Sequence, residues 1–193
     1  MPNDQEKKAN IISAATNLFA RFGLEKTTME DIAKAAKKGK SSLYYYFESK
    51  EQVFADVIRH EIAGLKAAIV EAIEKQSDPR EKLRQFVNTR LNYLFEKADQ
   101  YIAIKDEYLK NYYFIEDLIA EYSNWEISVI ESILEYGQTK GIFEVTNLRT
   151  DAKAIFFALK GLEYPWTLNL SREEITKSVD VLMGLLLRGI SKR

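Results

Sequence analysis

The chain has 193 residues, 30% of them charged and 46% hydrophobic, the composition of a globular body or of a small module fused to a larger one. It has no Cys and a single His, His60, which excludes disulfide scaffolds and thiolate chemistry and argues against imidazole zinc sites and a Ser-His-Asp triad. The net charge of −1 hides an uneven distribution: residues 1–50 hold nine Lys or Arg against six Asp or Glu, and Lys34–Lys50 hold five against one.

Three Pro and eight Gly leave little room for the turns of a sheet-rich fold, so the expected class is all-α. The opening MPNDQEKKAN carries Asp4 and Glu6 and lacks a signal-like apolar run. The stretch Val181–Ile190 is broken by Gly184, Arg188 and Gly189 and is too short to span a bilayer. These features predict a cytoplasmic protein that does not enter a membrane.

In chain order, Ile11, Ile12, Ala15, Leu18, Phe19 and Phe22 form one stripe of an amphipathic helix, which Gly23 is placed to stop. Thr27 with Glu30 has the spacing of a capping box, followed by Ile32, Ala33 and Ala36 as the apolar face of a second, short helix. In the third, over 40–46, Leu43 and Phe47 share a face and leave Lys40, Ser41, Ser42, Tyr44 and Tyr45 pointing elsewhere. A long connecting helix over 49–76 opens on the pair Ser49 and Gln52. It ends at Asp78 and Pro79, a cap followed by a first-turn proline. Further helices are expected near 79–98, 101–109, 114–139, 150–163 and 171–190, the last capped by Ser171 and Glu174.

A helix-turn-helix needs a supporting helix, a tight turn, and a second helix whose outward side chains can enter the major groove; residues 27–50 have these parts in that order. Ser41 and Ser42 are small donors and acceptors near the start of that second helix, and Lys40 and Lys50 can neutralise phosphate. Three adjacent tyrosines at 100° per residue cannot all face one small core, so at least one faces outward. The DNA-facing set read here is Thr27, Thr28, Lys38, Gly39, Lys40, Ser41, Ser42, Tyr44, Tyr45, Tyr46 and Lys50. Gly39-Lys40-Ser41 also spells the end of a phosphate-binding P-loop, but Lys34 stands where its first glycine belongs and no strand precedes it.

TTMEDIAKAA followed by GKSSLYYYFESKEQVF resembles the N-terminal DNA-binding domain of the tetracycline-repressor (TetR) family, over about residues 7–60. The resemblance implies that Lys40, Ser41, Ser42, Tyr44 and Tyr45 occupy the recognition-helix positions, Thr28 the start of the supporting helix, and Lys50 a phosphate contact. The turn departs from the family pattern: Lys37 and Lys38 stand where a glycine and an aliphatic residue are common, and Gly39 where Ser or Thr often caps.

Ten of the 23 aromatic residues lie between Phe86 and Trp125, and tyrosines on helices suit an apolar pocket with a few polar points. The pocket residues read from this are Phe86, Tyr93, Tyr101, Tyr108, Tyr112, Tyr113, Trp125, Phe156 and Trp166. The resemblance implies a small-molecule effector for this domain and a homodimer through the helices at 150–163 and 171–190. The last carries apolar residues too widely spread for one face of a small monomer. No cofactor or metal is implied: a di-iron bundle needs Glu three residues before His, where this chain has Val57 before His60.

The expected architecture is therefore an N-terminal helix-turn-helix domain (1–50), joined by the connecting helix to a helical ligand-binding and dimerisation domain (51–193). The expected function is an effector-responsive regulator, of the repressor kind most common in the family, on an approximately palindromic operator. The alternative is a helical small-molecule-binding or interaction protein without specific DNA binding.

Overall fold

The computed structural model describes residues 4–100, 116–161 and 171–192; the helix expected over 101–109 lies outside them. Among the described residues there are eight helices: α1 (Asp4–Lys26), α2 (Met29–Ala35), α3 (Lys40–Tyr46), α4 (Lys50–Glu74), α5 (Pro79–Gln100), α6 (Glu116–Thr139), α7 (Leu148–Gly161) and α8 (Arg172–Ile190). They contain no strand, only a lone antiparallel bridge between Phe143 and Ser191. None of these helices is long and apolar enough to cross a membrane.

The helices form two compact units, one from the described residues of Met1–Leu65 and Tyr93–Ile119, the other from those of Lys66–Asn92 and Ala120–Arg193. The first is built on Ile11, Ala15 and Phe19 of α1, spaced four apart and fully buried, as the periodicity predicts. They meet Ile32 and Ala33 of α2, Leu43 of α3, Phe47, and Val53, Phe54 and Val57 of α4. Phe19 and Phe54 stand edge-on, with centroids 5.1 Å apart. α1 breaks at Gly23, whose φ of 76° belongs to the left-handed region that glycine enters without Cβ strain.

The capping box of α2 is one residue further along than the sequence suggests. Thr27 is buried, and its hydroxyl donates to the Gly23 carbonyl at 2.7 Å. The cap is Thr28: its hydroxyl accepts from the Asp31 N–H at 3.2 Å, and its own N–H donates to the Asp31 carboxylate at 3.0 Å. At the start of α4, the Gln52 N–H donates to Ser49 Oγ as expected, while the Gln52 side chain accepts from the Glu48 N–H rather than from Ser49.

In the second unit, Asp78 caps α5 by accepting from the Arg80 N–H at 2.8 Å, with Pro79 in the first helical position. Ser171 and Glu174 form the expected capping box of α8. Ile175, Val179, Met183 and Leu187 of α8 line its buried face, and Phe86, Ile130, Leu134, Ile155 and Phe156 of the same unit are likewise buried. Each such side chain contributes about 1.5–3 kcal/mol when fully buried.

α6 turns sharply into Phe143, whose ring lies against Gly137: a Cβ at 137 would sit 2.0 Å from Phe143 Cδ2. Gly137→Ala is expected to destabilise the protein by roughly 1–3 kcal/mol despite the better helix propensity of Ala, because a buried ring must move. A urea midpoint unchanged from wild type would contradict this.

Candidate nucleic-acid interface

α3 buries Leu43 alone, and Phe47 follows it into the core. A seven-residue helix anchored on that one side must show its remaining side chains elsewhere. Lys40, Ser41, Tyr44 and Tyr45 are exposed, and Ser42 is half-buried. Tyr45 is the most exposed large hydrophobic residue among the described residues, at 76%. Its ring meets that of Tyr46 edge-on at 4.9 Å. The outward surface is thus cationic, hydroxylated and phenolic, and suited to phosphates and base edges.

The turn before α3 resolves the departure from the family pattern. The Lys38 N–H donates to the Ala33 carbonyl at 2.9 Å and the Lys37 N–H to the Lys34 carbonyl at 3.1 Å, the paired bonds of a Schellman ending. The position that this ending gives to glycine is occupied by Lys37, at φ 53°. Lys37→Gly removes a cost of roughly 1–2 kcal/mol for a side chain in that conformation, against roughly 0.5–1 kcal/mol of extra unfolded-chain entropy. The expected result is a stabilisation of up to about 1.5 kcal/mol, read from the denaturant midpoint. Gly39, by contrast, has an ordinary extended backbone at the N-cap of α3, and no side chain caps that helix.

Three of the residues assigned to DNA from sequence are used inside the domain. Thr27 is buried as described, so its hydroxyl does not reach phosphate. The Lys50 ammonium donates to the Leu24 carbonyl at 2.9 Å and to the Glu25 carbonyl at 3.2 Å, tying α4 to the end of α1. Tyr46 is half-buried and donates from its hydroxyl to Asp4 Oδ1 at 3.0 Å. The hydrogen bond from Lys7, and secondly that from Tyr46, holds the Asp4 carboxyl below the usual carboxylate range. Lys40 lies 3.6 Å from Glu30, with both side chains exposed, a pairing weak enough to yield to phosphate. Lys38 is half-buried, and Thr28 is exposed at the start of α2.

The Thr28 cap also holds the Asp31 carboxyl below its ordinary value, through the Thr28 side chain first and its backbone second. A carboxyl depressed in the folded state adds stability above its unfolded value, and that stability is lost as the pH falls through the folded one. Melting temperatures should therefore fall more steeply with acid below about pH 4 for the wild type than for Asp31→Asn. Parallel curves would remove the cap from the acid response.

Four of the aromatic residues assigned to a pocket, Phe86, Tyr93, Trp125 and Phe156, lie among the described residues. Phe86 and Phe156 are buried core residues of the second unit. Trp125, in the same unit, is half-exposed, stacked on Tyr122 at 5.9 Å, with the Lys66 ammonium 5.3 Å from its centroid. Tyr93 belongs to the first unit, where its hydroxyl lies 2.7 Å from Glu61 Oε2 and the Lys97 ammonium 2.6 Å from the same atom. Tyr101, Tyr108, Tyr112, Tyr113 and Trp166 lie outside the described residues. Sequence reading missed the buried ion pair of Arg90 on α5 and Glu126 on α6, which are far apart in the chain and carry no local signal.

A supporting helix, a tight turn, and a short helix with one buried leucine and a basic, phenolic outer face define a helix-turn-helix DNA-binding protein. The comparisons agree. The family model "Bacterial regulatory proteins, tetR family" matches residues 11–57, and the model "YsiA-like protein, C-terminal region" matches residues 58–189. The chain belongs to the TetR family: it is a ligand-responsive DNA-binding transcriptional regulator of the repressor class and not an enzyme. It is 26% identical over 189 residues to the probable acrEF/envCD operon repressor of Escherichia coli K12, covering 94% of this chain and 85% of that protein. It is 22% identical to the fatty acid metabolism regulator protein of Bacillus subtilis, over the full length of both. The crystal structure of a transcriptional regulator from Cytophaga hutchinsonii superposes with a TM-score of 0.82 at 26% identity, covering 94% of this chain and 97% of that one.

Proposed function

We propose that this regulator works in the cytoplasm as a homodimer, each protomer placing α3 in a major groove of an approximately palindromic operator, and that a small, largely apolar effector releases it. The observation that carries the reading is the outer face of α3: Lys40, Ser41, Tyr44 and Tyr45 exposed together, with Thr28 at the start of the supporting helix. On this reading residues 1–50 form the DNA-binding domain and 51–193 the effector and dimerisation domain, linked through α4.

Dimerisation through α7 and α8 is supported by the apolar surface these helices leave uncovered in the single chain. Phe157 on α7 is 64% exposed, and Val181 and Leu185, one turn apart on α8, are 64% and 57% exposed. Two-fold symmetry then sets the operator symmetry. An apolar effector accords with the aromatic content of α5 and α6 and with the fatty acid metabolism regulator among the relatives. Release requires that the effector bind the DNA-incompetent state more tightly, and DNA then weakens effector binding by the same factor.

The test is selection of bound fragments from a random DNA pool by the full chain at near-physiological salt, where a merely basic surface releases DNA. An enriched inverted repeat is the expected outcome. Enrichment of a single half-site would remove the dimeric reading, and no enrichment would remove sequence-specific binding. The recovered operator then serves to screen a compound library for release.

A further inference from the structure

We propose that Asp4 is a positioning residue for operator recognition: its carboxylate fixes the ring of Tyr46 at the end of α3, and that ring aims Tyr45 at the DNA. This rests on the reading of α3 as the recognition helix and adds a residue of α1 to the machinery that presents it.

A seven-residue helix is too short to hold an orientation of its own, so its anchors decide how it is turned. On the core side α3 is held by Leu43, with Phe47 just beyond its end. One line of contact leaves rotation about that line poorly fixed, and a second tie off that line is needed. Tyr46 supplies it. It lies three residues after Leu43, about 60° around the helix, and its hydroxyl donates to Asp4 Oδ1 at 3.0 Å. The Tyr45 ring then stands edge-on to the Tyr46 ring, at 4.9 Å between centroids and 89° between planes. Tyr45 is so exposed that little else surrounds it, and the attitude of one ring therefore sets that of the other.

Asp4 itself stands on a fixed base. One turn further along α1, the Lys8 ammonium lies 2.6 Å from Asp56 Oδ2 on α4 and 5.2 Å from the centre of the Phe47 ring. The opening turns of α1 are thus tied to α4 and to the end of α3. The Lys7 ammonium, 3.0 Å from Asp4 Oδ1, offsets the carboxylate charge, so beside a surface suited to phosphate Asp4 acts as a directed acceptor more than as a negative charge. The Tyr46 hydroxyl is held above the usual phenol range, by desolvation first and by its bond to Asp4 second, and so remains the donor. An acidic residue in the first turn of α1 also suits the helix dipole. The dipole asks for charge alone, whereas the tie asks for an acceptor at one place.

Operator affinity of the full chain is measured by fluorescence anisotropy, with the duplex recovered by selection and with a random-sequence duplex. Asp4→Ala is expected to bind the operator about tenfold more weakly, the scale of releasing one held side chain in each of two protomers. On the random duplex it should bind as tightly as wild type or more so, having lost a negative charge. Asp4→Asn keeps an acceptor and should restore operator affinity to within about twofold of wild type. Tyr46→Phe removes the same bond from its other end and should match Asp4→Ala, which it replaces if that variant fails to fold. In a Tyr45→Ala chain, Asp4→Ala should lower affinity by less than about twofold, because the ring it aims is gone; a residue that only stabilised the fold would act equally in both backgrounds. Unchanged operator affinity in Asp4→Ala, an equal loss in Asp4→Asn, an equal loss on the random duplex, or the same loss without Tyr45 would each overturn the assignment. Tyr45→Ala alone keeps the two readings apart. If it binds the operator as wild type does, the reading of α3 fails and the role of Asp4 with it. If it binds far more weakly while Asp4→Ala does not, only the role of Asp4 fails.

Discussion

A chain carrying Tyr44→Ala and Tyr45→Ala is expected to fold like wild type and to bind the selected operator at least about a thousandfold more weakly. A hydrogen bond to a charged group is worth roughly 1.5–3 kcal/mol, and a two-fold complex loses each of the two contacts twice, so the loss comes to about 6 kcal/mol or more and exceeds that factor. Their removal leaves the core intact, since Tyr45 is 76% exposed and the helix is anchored by Leu43. Lys50→Ala makes an instructive contrast. It too should weaken DNA binding, but with a lowered urea midpoint, because its ammonium holds the carbonyls of Leu24 and Glu25. Fluorescence anisotropy with the operator, paired with urea unfolding of each variant, separates the two. Retention of operator affinity within a few-fold by the double tyrosine variant would remove α3 from the interface.

The helical periodicity of α1, α4 and α8 was legible because each buries a single stripe, and a stripe has a period that survives in sequence. The recognition helix was legible for the opposite reason: Leu43 and Phe47 account for its buried side, and the remaining side chains suit no core. What the spacing could not convey was which polar groups close on each other. Thr27 and Thr28 are equivalent in sequence, and only the kink at Gly23 decides that Thr27 turns inward to its carbonyl while Thr28 caps. Tyr46 reads like Tyr44 and Tyr45 until the chain end brings Asp4 to its hydroxyl. The same limit governs the second unit. Composition pointed to an aromatic pocket; of the residues named for it, Phe86 and Phe156 are buried in the second unit and Tyr93 meets Glu61, neighbours that the abundance of a residue type does not specify. The pair that the structure makes prominent, Arg90 and Glu126, joins two helices across a long stretch of chain, and no local pattern announces such a contact.

Breaking that pair from one side is expected to be the most damaging core change in the second unit. Glu126→Met removes the buried carboxylate that pairs with the Arg90 guanidinium, itself 7% exposed, and Arg90→Met leaves the fully buried Glu126 without that cation; each should cost roughly 3–5 kcal/mol. The double variant Arg90→Met/Glu126→Met removes both desolvation penalties and fills similar volume with apolar atoms, so its stability should return to within about 1 kcal/mol of wild type or exceed it. A double-mutant cycle of urea unfolding free energies measures this, and a double variant as unstable as the sum of the singles would mean that the two residues act independently. If the cycle closes as expected, stability gives no reason to keep two ionised groups in the core.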